Sequence, residues 1–271
     1  MSSNIVLFIL QALPVLIFFL AGLCIGSFLN VCIFRLPAGL SIVKPASRCP
    51  RCKKALKWRD NIPLLSYIFL GGRCRFCHKS ISWQYPAVEF LTGLYFALAF
   101  WHFQADPLRL VWALCLGTFC ILLSVIDIRT MTLPDSIVLP AMALFGFTAY
   151  LNPWLGIGWQ ERAETMLTGF LVGGGVLYGM GALGAFILKK DALGGGDIKL
   201  MAALGMALGW DRAMGGLLIG SILSGLLGLS LQATGRLSSQ SPMPYGPFLC
   251  LGCLVVLFFP QLGFAYWLGI R

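Results

Sequence analysis

Charge is what this sequence has least of. Asp, Glu, Lys and Arg make up 11% of its 271 residues, where a soluble domain carries about a quarter. Hydrophobic residues make up 58% and the mean hydropathy is +0.85. Apolar runs near twenty residues recur along the chain, which excludes an ordinary soluble domain and points to a polytopic membrane protein. Histidine is scarcer still, with two residues, His78 and His102. The first lies among clustered cysteines and the second at the far end of an apolar run, so neither completes a Ser–His–Asp or Cys–His constellation. There is no internal repeat, no low-complexity tail, and no G-x-G-x-x-G following a strand. The apolar N-terminal run has no basic leader and no small-x-small cleavage site, so it is expected to be a retained first span.

What charge there is lies in one place. Residues 35 to 82 hold eleven Lys and Arg against one acid, Asp60, a net charge of +10, while the rest of the chain sums to zero. A basic patch can bind nucleic acid, but between apolar spans the positive-inside rule is the stronger reading, and the loop is expected to be cytoplasmic. Eight spans are expected, near 5–34, 84–103, 108–126, 134–152, 164–188, 198–210, 213–233 and 244–269. The sixth is short for a bilayer core of about 30 Å, so it is tilted or 198–233 forms a tight helical hairpin. With the N-terminus outside, the cytoplasmic side gains Arg129, Lys189, Lys190, Lys199 and Arg236. Only Arg109, Arg162, Arg212 and Arg271 stay outside, a decisive bias. The expected architecture is all-α and polytopic: residues 1–34 a first span, 35–83 a small cytoplasmic module, and 84–271 a membrane core.

That module is too small to bury much core and needs a staple. Its staple is legible as "CPRC" (Cys49, Cys52) and "CRFC" (Cys74, Cys77), two CxxC pairs separated by 21 residues. Four thiolates at this spacing suit a structural Zn²⁺ with no open coordination position, and a cytoplasmic loop disfavours disulfides. His78 is adjacent, but four Cys suffice. Cys24, Cys32, Cys115 and Cys120 read as small buried hydrophobes, and Cys250 and Cys253, a third CxxC inside the last span, as a decoy.

Acids stand out in so apolar a chain. Asp127 ends the third span in "LLSVIDIRTMTLPDS", and an ionisable group there generally faces an interior cavity and carries function. Asp135 and Asp191 read as helix-cap or loop residues. Asp197 opens the sixth span behind Gly194, Gly195 and Gly196, and taken in isolation it reads equally as a helix cap. These glycines allow positive φ and close backbone approach, so an extended substrate can lie over the turn. A phosphate cradle is the competing use, but "GGGDIK" is not a Walker A sequence. Two facing carboxylates suffice for hydrolysis. One is ionised and takes a proton from water while the other stays protonated and polarises the carbonyl; crowding them separates their titrations, and they titrate as a pair.

"GSFLNVCIFRLP" (26–37), the stretch from "CPRCKKALKW" to "EFLTG" (49–93), "IDIRTMTLPD" (126–135) and "GGGD" (194–197) together resemble the type IV prepilin leader peptidase/N-methyltransferase family over most of the chain. The resemblance implies a GxGD-type intramembrane aspartic protease with Asp127 and Asp197 as its catalytic pair. It matches Cys49, Cys52, Cys74 and Cys77 to a zinc-type tetracysteine motif. It further implies removal of a basic leader from type IV pilins or type II secretion pseudopilins at the cytoplasmic face of a bacterial inner membrane. N-methylation of the new N-terminus with S-adenosylmethionine would follow. The methyl-donor site is not legible. Glu89, in "PAVEFLTG", is an acid early in the second span that either meets the substrate amine or cofactor or makes a structural hydrogen bond. Asn30, Asp60 and Asn61 match the family and serve packing or turns on the bland reading; Gly71 and Gly72 are expected to shape the second knuckle. The family's leader is itself basic, so the +10 loop is assigned to topology and anionic lipid, not nucleic acid. The competing classes are an ion- or proton-coupled transporter using Asp127 and Asp197, a zinc-stabilised docking scaffold, and a peptidase without the methyltransferase.

Overall fold

The computed structural model describes residues 2–189, 193–236, 238 and 242–269. Asp191, expected as a loop or cap residue, lies outside them, as do Lys190 and Arg271. Among the described residues there is no strand, and ten helices follow one another: α1 Ser2–Arg35, α2 Leu65–Phe69, α3 Gln84–Phe103, α4 Pro107–Thr130, α5 Asp135–Thr148, α6 Trp159–Leu188, α7 Gly195–Leu208, α8 Trp210–Ala233, α9 Gly246–Phe258 and α10 Phe264–Trp267. Helix occupies each of the eight expected spans, wholly or in part. Four stretches are long and apolar enough to cross a membrane, namely Ala12–Arg35, Pro107–Thr130, Trp159–Ile187 and Trp210–Ala233; Asp135–Leu151 and Gly246–Phe258 are apolar but shorter. The chain is thus an all-helical, multi-pass membrane protein.

It divides into two compact units, Met1–Thr118 and Phe119–Arg271. In the first, α1 packs along α3. The packing is close because Gly22 and Gly26 lie against α3 backbone: a Cβ on Gly22 would meet the Thr92 carbonyl oxygen at 2.7 Å. Asn30 fastens the same pair, its Nδ2 donating to the Tyr85 carbonyl at 3.0 Å, which is the packing role expected of it. Tyr95 on α3 donates its hydroxyl to the Ala113 carbonyl of α4 at 2.6 Å, and its ring fills the space left by Gly117.

The second unit is organised around α7. Its fourteen residues rise only about 21 Å at 1.5 Å each, too short for a bilayer core of about 30 Å. Leu200, Met201, Ala203, Leu204, Ala207 and Leu208 are all buried, so it is a helix enclosed by neighbours and not by lipid. α5, α6, α8 and α9 surround it. Gly209, at φ +81°, turns the chain directly into α8, so the hairpin alternative for 198–233 is the one the fold adopts. Two helix pairs cross at backbone contact. Gly169 and Gly205 face each other across α6 and α7, and Gly216 faces Gly252 across α8 and α9. Small residues at such crossings let helices approach where no hydrophobic drive separates protein from lipid. Large apolar side chains such as Leu171, Tyr178 and Phe186 on α6 point outward.

The expected last span, 244–269, is corrected. The helix stops at Phe258, and Pro260 begins a separate turn, Pro260–Leu262, before α10. Proline has no N–H for the helical ladder, and its ring clashes with the carbonyl four residues back. Cys24 and Cys115 are also corrected: both are exposed on their helices, whereas Cys32 and Cys120 are buried as expected.

Candidate functional site

The cysteine module is two copies of one turn. Cys49 N–H donates to the Lys54 carbonyl and Lys53 N–H to the Cys49 carbonyl, at 3.0 and 2.9 Å; Cys74 with Lys79, and His78 with Cys74, repeat the pattern at 2.9 Å each. Lys53 and His78 occupy equivalent left-handed positions, φ 58° and 55°. His78 therefore shapes the knuckle and lies outside the ligand cluster. The cluster is Cys49, Cys52, Cys74 and Cys77, whose sulfurs all lie within 4.8 Å of one another. Cys49 Sγ and Cys77 Sγ are 3.9 Å apart; a tetrahedron of thiolates bonded to a metal at about 2.3 Å separates its sulfurs by about 3.8 Å. The donor set and its dimensions fit a metal ion. The N–H groups of Cys77 and Phe76 are aimed at Cys74 and hold its thiol down at about 7. The Lys79 N–H acts the same way on Cys77, but burial and the three neighbouring thiols outweigh it and push that thiol up to about 11.

Polar contacts brace the module. Asp60 lies 2.7 Å from Arg75 in the second knuckle and accepts the Lys57 N–H at 3.2 Å. Burial raises its carboxyl, but the Arg75 and Lys57 hydrogen bonds outweigh that and leave it below the ordinary carboxylate range. Gly71 and Gly72, both at positive φ, end α2 and lead into the second knuckle, as expected. Glu89 is buried on α3, where its Oε2 accepts the Leu64 N–H at 2.8 Å and Ser27 donates to the same carboxylate. It thus joins α3, α1 and the turn before α2.

The second unit brings Asp127 and Asp197 together. Asp127 lies in the last turn of α4 and is 5% exposed; Asp197 lies in the first turn of α7, partly buried. They are within electrostatic range of each other. The C-terminal end of a helix disfavours an acid, and α9 compensates: its first residue, Gly246, donates its N–H to Asp127 Oδ2 at 3.0 Å.

The three glycines before Asp197 do not serve by positive φ, which corrects that expectation. Gly194 sits at φ −70°, and none of the three falls among the positive-φ glycines. Space is the reason at Gly194 and Gly196 but not at Gly195. A Cβ on Gly194 would meet Asp197 Oδ2 at 3.3 Å, one on Gly196 would meet the Leu133 Cβ at 3.0 Å, and one on Gly195 would meet nothing within 4 Å. Asp135 is not a capping residue either. It begins α5 but makes no side-chain cap; both its oxygens accept from Lys199 Nζ, at 2.7 and 2.8 Å, pinning α5 to α7. Cys250 and Cys253 are buried in α9 and belong to no metal cluster among the described residues.

Sequence reasoning missed Tyr245 and Gly246, which open the last expected span, 244–269. The available signal was Gly-Pro at a helix start, where the first N–H groups have no intrahelical partner.

Residues 20–103 match the bacterial peptidase A24 N-terminal domain and residues 114–229 the type IV leader peptidase family. Among similar proteins are three named prepilin leader peptidase/N-methyltransferase. That of Dickeya chrysanthemi is 37% identical, over 90% of this chain and 92% of the relative. That of Myxococcus xanthus is 43% identical over 80% and 63%, and that of Klebsiella pneumoniae 40% identical over 75% and 89%. No solved structure is significantly similar. Two adjoining family matches, with the Dickeya chrysanthemi relative covered over 92% of its length, establish that the chain belongs to the type IV leader peptidase family.

Proposed function

We propose that this protein is a membrane aspartic endopeptidase that removes the basic leader of type IV prepilins or type II secretion pseudopilins, then N-methylates the new N-terminal residue. The observation that carries the reading is the meeting of two acids, Asp127 and Asp197, from helices distant in sequence. Both names on the curated relatives, peptidase and methyltransferase, support it. In the proposed reaction one carboxylate takes a proton from water, whose oxygen attacks the scissile carbonyl. The partner acid donates its proton to the carbonyl oxygen, and collapse of the tetrahedral diol returns a proton to the leaving amine. Gly194, Gly195 and Gly196 line the approach to Asp197, and open space over Gly195 suits an extended leader. The peptidase chemistry is assigned to the core expected at 84–271.

The four cysteines are assigned a structural Zn²⁺, since all four positions are sulfur and none is left for water. S-adenosylmethionine supplies the methyl group. For its positive sulfonium, or the substrate amine, the chain offers Glu89 together with Asn30, whose Oδ1 is buried without a hydrogen-bond partner. By charge, the basic loop and the acids share the cytoplasmic side of a bacterial inner membrane, with the N-terminus outside. The loop's partner is anionic lipid.

The test incubates purified protein in lipid with a prepilin and S-adenosylmethionine. Asp127→Asn and Asp197→Asn should each lower leader cleavage by about 10²–10⁴-fold, the usual worth of a positioned acid or base. Cleavage that survives either substitution sinks the pairing.

A further inference from the structure

Among the described residues one backbone donor reaches Asp127, and it comes from an element the motifs do not include. Gly246 is the first residue of α9, whose thirteen residues leave their initial N–H groups without intrahelical partners. Gly246 presents the first free donor of that helix, and Pro247, which follows, has no N–H to offer. Its N–H reaches Asp127 Oδ2 at 3.0 Å in a buried contact. The residue must also be glycine by space: an added Cβ would lie 2.8 Å from the same Oδ2 and 3.3 Å from the carboxyl carbon.

Tyr245, the residue before it, is fixed independently. Its hydroxyl is 2.7 Å from Ser221 Oγ on α8, and Ser221 also donates to the Leu217 carbonyl at 2.7 Å. Tyr245 lies within electrostatic range of Asp197. α8 and α9 are locked by backbone contact of Gly216 with Gly252 and of Gly220 with the Phe248 carbonyl. The start of α9 is therefore held from the hydroxyl side by Ser221 and from the backbone side by the helix crossing. One dipeptide touches one acid and faces the other.

We propose that Gly246 is a positioning residue for the dyad: its N–H holds Asp127 Oδ2, leaving Oδ1 to engage the attacking water, and the Tyr245–Ser221 contact fixes where that N–H points. The inference rests on the reading of Asp127 and Asp197 as the catalytic pair. It makes the loop before α9 part of the peptidase machinery and assigns different tasks to the two oxygens of one carboxylate.

The test measures prepilin cleavage against pH for wild type, Gly246→Ala, Tyr245→Phe, Ser221→Ala and Gly225→Ala, alongside Asp127→Asn and thermal unfolding of each. Gly225→Ala adds a methyl to α8 where nothing lies within 4 Å, and serves as the neutral control. Gly246→Ala should lower kcat by tenfold or more with KM within about twofold, and shift the pH dependence of kcat, because the added methyl displaces the carboxylate from its donor. Tyr245→Phe and Ser221→Ala add no volume and should give a smaller kcat loss of the same kind, with unfolding temperatures close to wild type. Gly246→Ala with wild-type kcat and pH profile, while Asp127→Asn is inactive, overturns the proposal and leaves the dyad standing. So does a kcat loss that only follows a lowered unfolding temperature with the pH profile unmoved. Activity in Asp127→Asn overturns the dyad itself, and this proposal with it.

Discussion

Removing the metal should unfold the cysteine module and little else. Between residues 36 and 83 the buried side chains are Cys49, Cys74 and Asp60; no Leu, Ile, Val or Phe of that stretch is buried. Hydrophobic burial therefore cannot hold the two knuckles together, which is why the proposed metal at the four cysteines is expected to. Bridging Cys49 to Cys74 closes a loop of about 25 residues, worth about 3.5 kcal/mol by chain entropy, and a structural zinc site supplies about 10–16 kcal/mol of apparent binding energy. The binding term exceeds the closure cost several-fold, so the loaded module should be folded and the stripped one should not. The eleven Lys and Arg of residues 35 to 82 make trypsin the natural probe. Loaded protein should resist cleavage within 48–80, and stoichiometric chelation should open sites such as Arg48, Lys57, Arg73 and Lys79 while the helical circular dichroism barely changes. Binding should also release protons. Near pH 8 the Cys74 thiol, held at about 7, is largely ionised, whereas Cys77, pushed up to about 11, still carries a proton that the metal must displace. Acid should strip the site: Cys74's contribution is complete above the ordinary thiol range and lost as pH falls through about 7. A digestion pattern identical before and after verified loss of metal would refute the reasoning.

Three further outcomes are expected. Arg75→Gln should weaken the module most at neutral pH, because the depressed Asp60 carboxyl stabilises the fold above the ordinary carboxylate range and loses that contribution as pH falls; protease resistance measured against pH should show the wild-type and variant curves converging in acid. Gly205→Leu should destabilise the second unit by at least the about 1–3 kcal/mol typical of overpacking, since the added side chain meets the Gly169 backbone and no flexible group can yield; denaturant unfolding in detergent reads it, with Gly175→Leu, which faces open space, as the comparison. Gly195→Val should keep the wild-type unfolding temperature yet depress cleavage, because the side chain enters only the space proposed for the leader, while Gly196→Val should lower both by striking Leu133.

Features that are local in sequence were legible, and features that depend on chain meeting chain were not. Long apolar runs with few charges specify helices whatever they pack against, so α1, α3, α4, α6 and α8 lie close to their expected bounds. Two CxxC knuckles specify their ligands at four-residue range, and the equivalence of Lys53 and His78 follows once both turns are built. The shortness of the sixth segment was visible, but not its meaning: a helix too short to span is tolerable at the centre of a bundle, and only its four neighbours make α7 central. Asp135 carried the signature of a helix-terminal acid, and its actual partner, Lys199, stands 64 residues away.

The same distinction explains why one part of the acid site escaped notice. Asp127 was conspicuous as a charge without local support, and the support comes from a residue 119 positions later. An acid at the C-terminal end of its own helix needs a donor from elsewhere, and the N-terminus of another helix is a chemically suitable source. Asp197 needs less, since it sits at the N-terminal turn of α7 and its own helix dipole favours it. Two acids in one site are thus stabilised by two different helices, one local and one remote. The asymmetry has a consequence for how the chain tolerates change. Substitutions along α8 or α9 that tilt the start of α9, far from either acid, should reach Asp127 first and leave the Asp197 turn in place. A graded series at Gly252, from Ala to Val, drives a side chain into the Gly216 backbone and should therefore lower kcat and the unfolding temperature together; wild-type kcat in either variant would count against the coupling.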